Sequence, residues 1–320
     1  MINKEMKNMH TQSGRVVSVN ISEKKGQTKH PIDQVLVDNE GIKGDAHAGK
    51  WHRQISLLSQ EMINHFCAES GCDITAGSFA ENISTLGLDL QQVSVLDRLI
   101  INQVELEITQ IGKTCHGDGC AIYQQVGQCI MPKQGIFGQV LRGGVIRKGD
   151  PIIWQQRTMK IAVITLSDRA SADEYQDQSG PRIRDLLDDF FDDASWDVSY
   201  ESCILPDDAS QLENKLLVIK EQGIDVIFTT GGTGVGPRDI TPDVVNRLAD
   251  KTIPGIMEFI RTKYGASIPN ALLSRSVAAI MGKSLIYTLP GSVKAVDEYM
   301  TEILKTLEHT IFMMRGLDAH

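Results

Sequence analysis

From residue 14 to about residue 154 the chain reads as short apolar and polar alternations broken by turns: GRVVSVNI, DQVLVDNE, RQISLLS, DRLIINQ, VELEITQIG and FGQVLRGGVIRKGDPIIW. A period of two marks strands buried on one face, and the Gly-Asp and Gly-Gly pairs punctuate them. Only EMINHFCAE has helical spacing, so this half predicts a β-barrel or a bent sandwich. After QQRTM the pattern changes. KIAVITLS is a continuous apolar run, rich in β-branched residues and suited to a strand covered on both faces. GPRIRDLLDDFF and DASQLENKLLVIKEQ are helix candidates, IDVIFTT is a further strand, and SLIYTLPGSVKAVDEYM supplies a strand and then a long helix. Strands alternating with helices predict a parallel α/β sheet. The boundary falls within WQQRTMK, which sets a β-rich domain at 14–156 and an α/β domain at 158–320. No internal repeat is visible, and the N-terminal dozen residues are expected to be loosely ordered.

Composition narrows the function classes. A net charge of -9 over 320 residues argues against a protein that coats nucleic acid or an anionic membrane, which call for a basic face, and leaves local basic sites open. MINKEMKNMHTQSGRV has no apolar core of a secretion signal, and no stretch approaches the roughly 20 apolar residues of a membrane helix. A cytoplasmic location is therefore expected. The six cysteines read as thiols, metal ligands or catalytic sulfur, not as a disulfide framework.

The stretch TTGGTGVGPRDITPD, residues 229–243, follows a buried strand and concentrates glycine and acid. Gly231 and Gly236 have the first spacing of a Walker loop, but Pro237 and Arg238 stand where Lys and a hydroxyl belong. Pro237 also takes the place of the last glycine in a dinucleotide fingerprint. TPD at 241–243 starts a helix, with Thr241 as cap, Pro242 in the first turn and Asp243 at the positive end of the dipole. A loop between a strand end and a helix N-terminus is where open α/β sheets bind ligands. Carboxylates repel phosphates, so an acid in such a loop points to Mg²⁺, with Asp239 as the first candidate ligand. Arg238 is a candidate for phosphate or for a surface ion pair.

Other strand ends repeat the theme. Ser167, Asp168 and Arg169 close one strand, and Asp177, Ser179 and Gly180 stand at the next helix entrance. Asp207 and Asp208 precede another helix, and Leu289, Pro290, Gly291 and Ser292 precede the last. Any one of these acids or serines can be a helix cap. Their coincidence on one sheet edge favours a nucleotide or phosphate site.

In the first half, Cys115, His116, Cys120 and Cys129 lie close together, with His47 and His52 in the earlier GIKGDAHAGKWHRQ. Three readings stand: buried core thiols, a thiolate favoured by Lys113 or His116, or a Zn²⁺ site, although the spacing is not that of ordinary zinc ribbons. His47 and Arg53 are candidates to hold a phosphate, beside turn and core roles.

The ordered set SDRAS, YQD with SGP, LPDD, TTGGTG with RDITPD, IPGIMEFIR, LSRSVAAI and LPGS resembles the Mog/MoaB-like molybdopterin adenylyltransferases of molybdenum cofactor biosynthesis, from about Lys160 to Arg315. The resemblance implies transfer of AMP from ATP to the molybdopterin phosphate, release of pyrophosphate, a need for Mg²⁺, a three-layer α/β fold and a homotrimer. It places the two central aspartates at Asp207 and Asp239. Ser167, Asp168, Arg169, Asp177, Ser179, Gly180, Gly231, Gly232, Thr233, Gly234, Pro290, Gly291 and Ser292 are then the expected nucleotide or pterin contacts.

GIKGDAHAG, GSFAENISTLGLDL, the segment around Cys115 and GIFGQVLRGGVIRKGD similarly resemble a MOSC domain. That resemblance implies sulfur handling linked to the molybdenum cofactor, with Cys115 as the sulfur carrier and a sulfur donor or molybdenum insertion protein as partner. Both modules would meet the same pterin. The alternative is a non-catalytic carrier that binds molybdopterin or the finished cofactor and protects or delivers it.

Overall fold

The structure is a computed structural model, which describes residues 11–71, 74–114, 129–193 and 196–317. It divides into two compact units, Met1–Arg157 and Thr158–His320. The first unit contains β1 (Thr11–Ile21), β2 (His30–Ile32), β3 (Gln34–Asp38), β4 (Gly41–Ile42), β5 (Ile55–Ser59), α1 (Gln60–Ser70), β6 (Ile83–Leu86), β7 (Arg98–Ile101), β8 (Val104–Ile111), α2 (Met131–Gln134), β9 (Ile136–Arg142), β10 (Gly144–Arg147) and β11 (Pro151–Gln155).

Its main sheet runs β11-β7-β8-β9-β5-β6-β1-β2, and β1 also pairs with β11, so the ring closes as a barrel and β2 hangs from β1. One long strand closes it. Thr11–Arg15 pair with β11, and from Arg15 onward β1 pairs with β6 through an irregularity between Val16 and Ser18. Such a bulge bends a strand around a barrel corner. The alternation seen in the sequence points Val16, Val19, Leu57, Leu99, Leu106, Ile108, Ile152 and Trp154 into one core. The helix α1 starts where the Ser59 hydroxyl accepts the Met62 N–H, and stops at Gly71 in the left-handed region.

The second unit contains β12 (Thr158–Leu166), α3 (Asp168–Ser171), α4 (Ser179–Asp193), β13 (Asp197–Leu205), α5 (Ala209–Gln222), β14 (Val226–Thr230), α6 (Thr241–Leu248), β15 (Lys251–Thr252), α7 (Pro254–Gly265), a 3-10 turn (Pro269–Leu273), β16 (Ala278–Met281), β17 (Ser284–Leu289) and α8 (Val293–Met314). The sheet order is β13-β12-β14-β17-β16-β15. The four strands β13, β12, β14 and β17 are parallel. The expectation of a wholly parallel sheet fails at the other edge, where β16 runs antiparallel to β17 and β15 to β16. The reason is local: β16 and β17 are joined by a tight turn at Gly282, φ +63°, and a turn this short allows only antiparallel pairing.

Ala162, Ile164 and Leu166 of β12 share a core with Leu212, Leu216 and Ile219 of α5 and Val244 and Val245 of α6. The helices α4 and α8 pack on each other, α4 also against β12 and α8 against β17. Leu166 stands level with Leu205, and Thr165 with Thr230, so three chain segments leave the sheet side by side. Among the described residues no helix is long and apolar enough to cross a membrane.

Candidate functional site

A cleft of about 380 Å³ opens where those three segments emerge. The β12 exit contributes Ser167, Asp168 and Arg169, the β13 exit Asp207, and the β14 exit Gly232, Gly236, Pro237, Arg238 and Asp239. Helix capping explains part of this chemistry. Ser167 accepts the Ala170 N–H, Asp208 the Gln211 N–H and Ser292 the Ala295 N–H, so these side chains start α3, α5 and α8. Asp207, next to a capping aspartate, instead lines the cleft.

Asp168 ties the walls together. Its Oδ1 accepts the Asp207 backbone N–H at 2.9 Å and its Oδ2 accepts Arg238 Nη1 at 2.6 Å. Arg238 therefore makes the surface ion pair considered from the sequence, at the rim of the cleft. Burial pushes the Asp207 carboxyl above its ordinary range, and the nearby charges of Asp168 and Asp239 add to that while Arg238 opposes it.

The glycine loop is shaped around Asp239. Asp239 Oδ2 accepts the Gly236 N–H at 2.7 Å. A Cβ at Gly234 would stand 2.7 Å from that oxygen and one at Gly236 3.0 Å, so a side chain at either position would push the Asp239 carboxylate aside. Gly231 and Gly232 lie at φ +100° and +63°, in the left-handed region that glycine tolerates. Thr241 does not cap α6 as expected. The N-cap is Ile240, without a side-chain bond, and Pro242 lies in the first turn. The Thr241 hydroxyl donates to the Gly231 carbonyl at 2.9 Å instead, because the loop folds back far enough to reach it.

Other expected contacts surround the cleft without lining it. The Pro290 carbonyl accepts the Thr230 hydroxyl at 2.9 Å. A Cβ on Gly291 would sit 3.4 Å from the Gly231 Cα, so this turn packs directly against the glycine loop. Asp177 Oδ1 accepts the Ser179 and Gly180 N–H groups and its Oδ2 accepts the Thr165 hydroxyl. Asp177 and Gly180 line a separate, mostly apolar depression of about 510 Å³ with Arg184 and Ile204. Thr165 and Leu166, neighbours on β12, thus border different depressions.

Arg275 was missed by sequence reasoning. Its Nε donates to the Gly234 carbonyl and its Nη2 to the Asp239 carbonyl, while Nη1 and Nη2 grip the Asp243 carboxylate. Its position within LSRSVAAI was the only signal, and nothing in that spacing names the partners.

Residues 162–309 match the family described as "Probable molybdopterin binding domain", and residues 44–153 match the MOSC domain family. Over 141 residues the chain is 40% identical to the molybdopterin adenylyltransferase of Haemophilus influenzae, covering 44% of this chain and 70% of that protein. The molybdopterin adenylyltransferase of Helicobacter pylori strain J99 is 34% identical over 161 residues, 50% of this chain and 90% of its own. This chain belongs to the molybdopterin adenylyltransferase family. It combines that family's domain with a MOSC domain, as the sequence resemblances implied. Among solved structures, the molybdopterin biosynthesis enzyme MoaB from Thermus thermophilus is 32% identical, covering 49% of this chain and 97% of its own, with a TM-score of 0.45.

In the MOSC domain, GDAHAGKWHRQ forms the approach to β5. Lys29 Nζ lies 2.5 Å from Asp45 Oδ2 and 3.3 Å from His47 Nδ1. The Arg53 guanidinium stacks 5.0 Å from the Trp51 ring centre, and its buried Nε has no hydrogen-bond partner among the described residues. Cys129 packs beside the cluster of Leu58, Ile63, Phe66 and Met131. Cys115, His116 and Cys120 lie outside the described residues.

Proposed function

We propose that the second unit transfers AMP from ATP to the terminal phosphate of molybdopterin. A phosphate oxygen of molybdopterin attacks the α-phosphorus; the new P–O bond forms as the bond to the β-phosphate oxygen breaks, and pyrophosphate leaves with the electron pair. No protein nucleophile is needed, so alignment and charge stabilisation carry the chemistry. The observation that supports this reading best is the convergence of Asp207 and Asp239 with Gly232 and Gly236 in one cleft at the sheet's C-terminal edge.

Gly232 and Gly236 present backbone without side chains, so phosphates can come close to the cleft wall. Arg238 from the β14 exit and Arg169 from the β12 exit bring positive charge to the cleft. Asp207 and Asp239 would hold Mg²⁺. Among the described residues no three acidic, His or Cys side chains converge to hold a metal by themselves. That donor set fits Mg²⁺, which takes one or two carboxylates and fills its shell with phosphate oxygens and water. Bound there, Mg²⁺ would offset the charge growing on the pyrophosphate.

The MOSC domain, on this reading, binds the same pterin or handles sulfur at Cys115, with a sulfur donor or molybdenum insertion protein as partner. Tethering two modules that share a ligand raises its effective concentration. The Arg53 Nε, without a hydrogen-bond partner among the described residues, favours an anionic ligand near Trp51. A three-layer order in the second unit is supported by the separate packing of α5 with α6 and of α4 with α8. A homotrimer and a cytoplasmic location complete the proposal and rest on the family resemblance and the sequence. Product formation from MgATP and molybdopterin, lost in Asp239→Asn, tests the central step.

A further inference from the structure

We propose that Arg275 is a positioning residue: it fixes the backbone that carries Asp239, and so sets how well Asp239 meets a Mg-nucleotide. The proposal rests on the adenylyl-transfer reading above. Arg275 does not line the cleft, so it acts through the loop and not on a ligand directly. Its Nε reaches the Gly234 carbonyl at 2.8 Å and its Nη2 the Asp239 carbonyl at 2.6 Å. Nη1 and Nη2 each lie 2.9 Å from an oxygen of Asp243 on α6, and the Arg275 backbone N–H donates to the Thr233 carbonyl at 2.8 Å. The guanidinium thus spans the start of the loop, its acidic end and the helix that follows.

The other end of Asp239 is equally constrained, since its carboxylate receives the Gly236 N–H. With its carbonyl and carboxylate both hydrogen-bonded, Asp239 is restrained at two points, which serves the preorganisation that charge stabilisation requires. Arg275 is itself anchored. Arg261 Nη1 donates to the Ser276 carbonyl at 3.1 Å, and the Tyr299 hydroxyl donates to Ser274 Oγ at 2.8 Å. A lysine keeps the charge but is a point donor that cannot span these acceptors. Arg275 and Asp243 are 39% and 56% exposed, so their ion pair adds little to global stability. A loss of function without a loss of stability is the signature of positioning.

The test uses the full chain and its Arg275→Lys variant. Calorimetry measures ATP affinity in EDTA and across a Mg²⁺ titration, and pyrophosphate release is followed over the same Mg²⁺ range. The expected result is a melting temperature within about 3 °C of the parent and unchanged ATP affinity in EDTA. The Mg²⁺ concentration needed for half-maximal nucleotide binding and rate rises about tenfold, as for residues that orient metal ligands. On an Asp239→Asn background, Arg275→Lys shifts the Mg²⁺ dependence of binding no further. Parent-like Mg²⁺ dependence in Arg275→Lys overturns the proposal, as does a further shift on the Asp239→Asn background. Melting far below the parent also overturns it, by making the residue structural. A parent chain that binds no MgATP defeats the adenylyl-transfer reading and this proposal with it; a parent that binds MgATP beside an unchanged variant defeats this proposal alone.

Discussion

Replacing Asp45 by Asn probes the buried polar centre of the MOSC domain. The Lys29 and Asp45 side chains are each 1% exposed and 2.5 Å apart. Asp45 also accepts the Ser22 N–H at 3.1 Å and the His47 N–H at 2.9 Å. Burial alone raises the Asp45 carboxyl, but hydrogen bonds from His47 and Lys29 and the Lys29 charge outweigh it and hold it well below the usual carboxylate range. Burial draws the Lys29 amine below its ordinary value, with Asp45 opposing. The directions differ in meaning: pairing dominates for the acid, desolvation for the amine. Asparagine keeps one acceptor oxygen yet leaves the ammonium buried without its counter-charge, which costs about 3–5 kcal/mol. At about 2–4 °C per kcal/mol for a unit of this size, the expected fall in its melting temperature is about 6–20 °C. Differential scanning calorimetry of the full chain is the assay, because two units need not melt as one two-state transition. Lys29→Met with Asp45→Asn should recover much of the loss by removing both charges. A shift under about 2 °C in the single variant would refute the reasoning, since a neutral or hydrated Lys29 would not need Asp45. For the parent, the sign follows from the lowered acid: Asp45 stabilises above its unfolded value, near 3.9, and that contribution is lost as pH falls further.

Asp207 has the opposite sign. Its carboxyl is raised in the fold, so its charge costs stability at neutral pH and stops doing so once acid protonates it in both states. Asp207→Asn is expected to melt at or above the parent temperature at pH 7, with no advantage below about pH 3.8, while adenylyl transfer falls about 10²–10³-fold. A lower melting temperature at pH 7 would show that the carboxylate holds the fold together. For the MOSC domain, mass spectrometry after incubation with a sulfur donor should find a persulfide on Cys115 that Cys115→Ser lacks. An unmodified Cys115 would remove the carrier role.

Much of the fold was legible because period and burial coincide. The run KIAVITLS is apolar and rich in β-branched residues and became an interior strand, and alternation in VELEITQI put Leu106 and Ile108 in the barrel core. Of the edge strand DVSYESCIL only the end at CIL, before Asp207, was legible, because an edge strand need not be apolar and its pattern is mixed. Candidate acids were legible as a set but not one by one. Asp207 and Asp208 are adjacent and chemically identical, yet one lines the cleft and the other caps α5, a division made by where the strand ends. Lys29 with Asp45, and Arg275 with the glycine loop, are tertiary pairings that no local spacing encodes. The expected cap at Thr241 failed for the same reason, since its hydroxyl is taken by Gly231 across the loop.

Adenylyl transfer in the cleft lined by Asp207 and Asp239 is the central proposed step. The most direct measurement is formation of adenylylated molybdopterin and pyrophosphate from MgATP and molybdopterin by the purified chain, by residues 158–320 alone, and by Asp239→Asn. Equimolar products are expected from the full chain and from the second unit, with the rate in folded Asp239→Asn lowered about 10²–10³-fold. Product formation by Asp239→Asn at the parent rate, or tight pterin binding by the parent with no pyrophosphate released, would contradict that step.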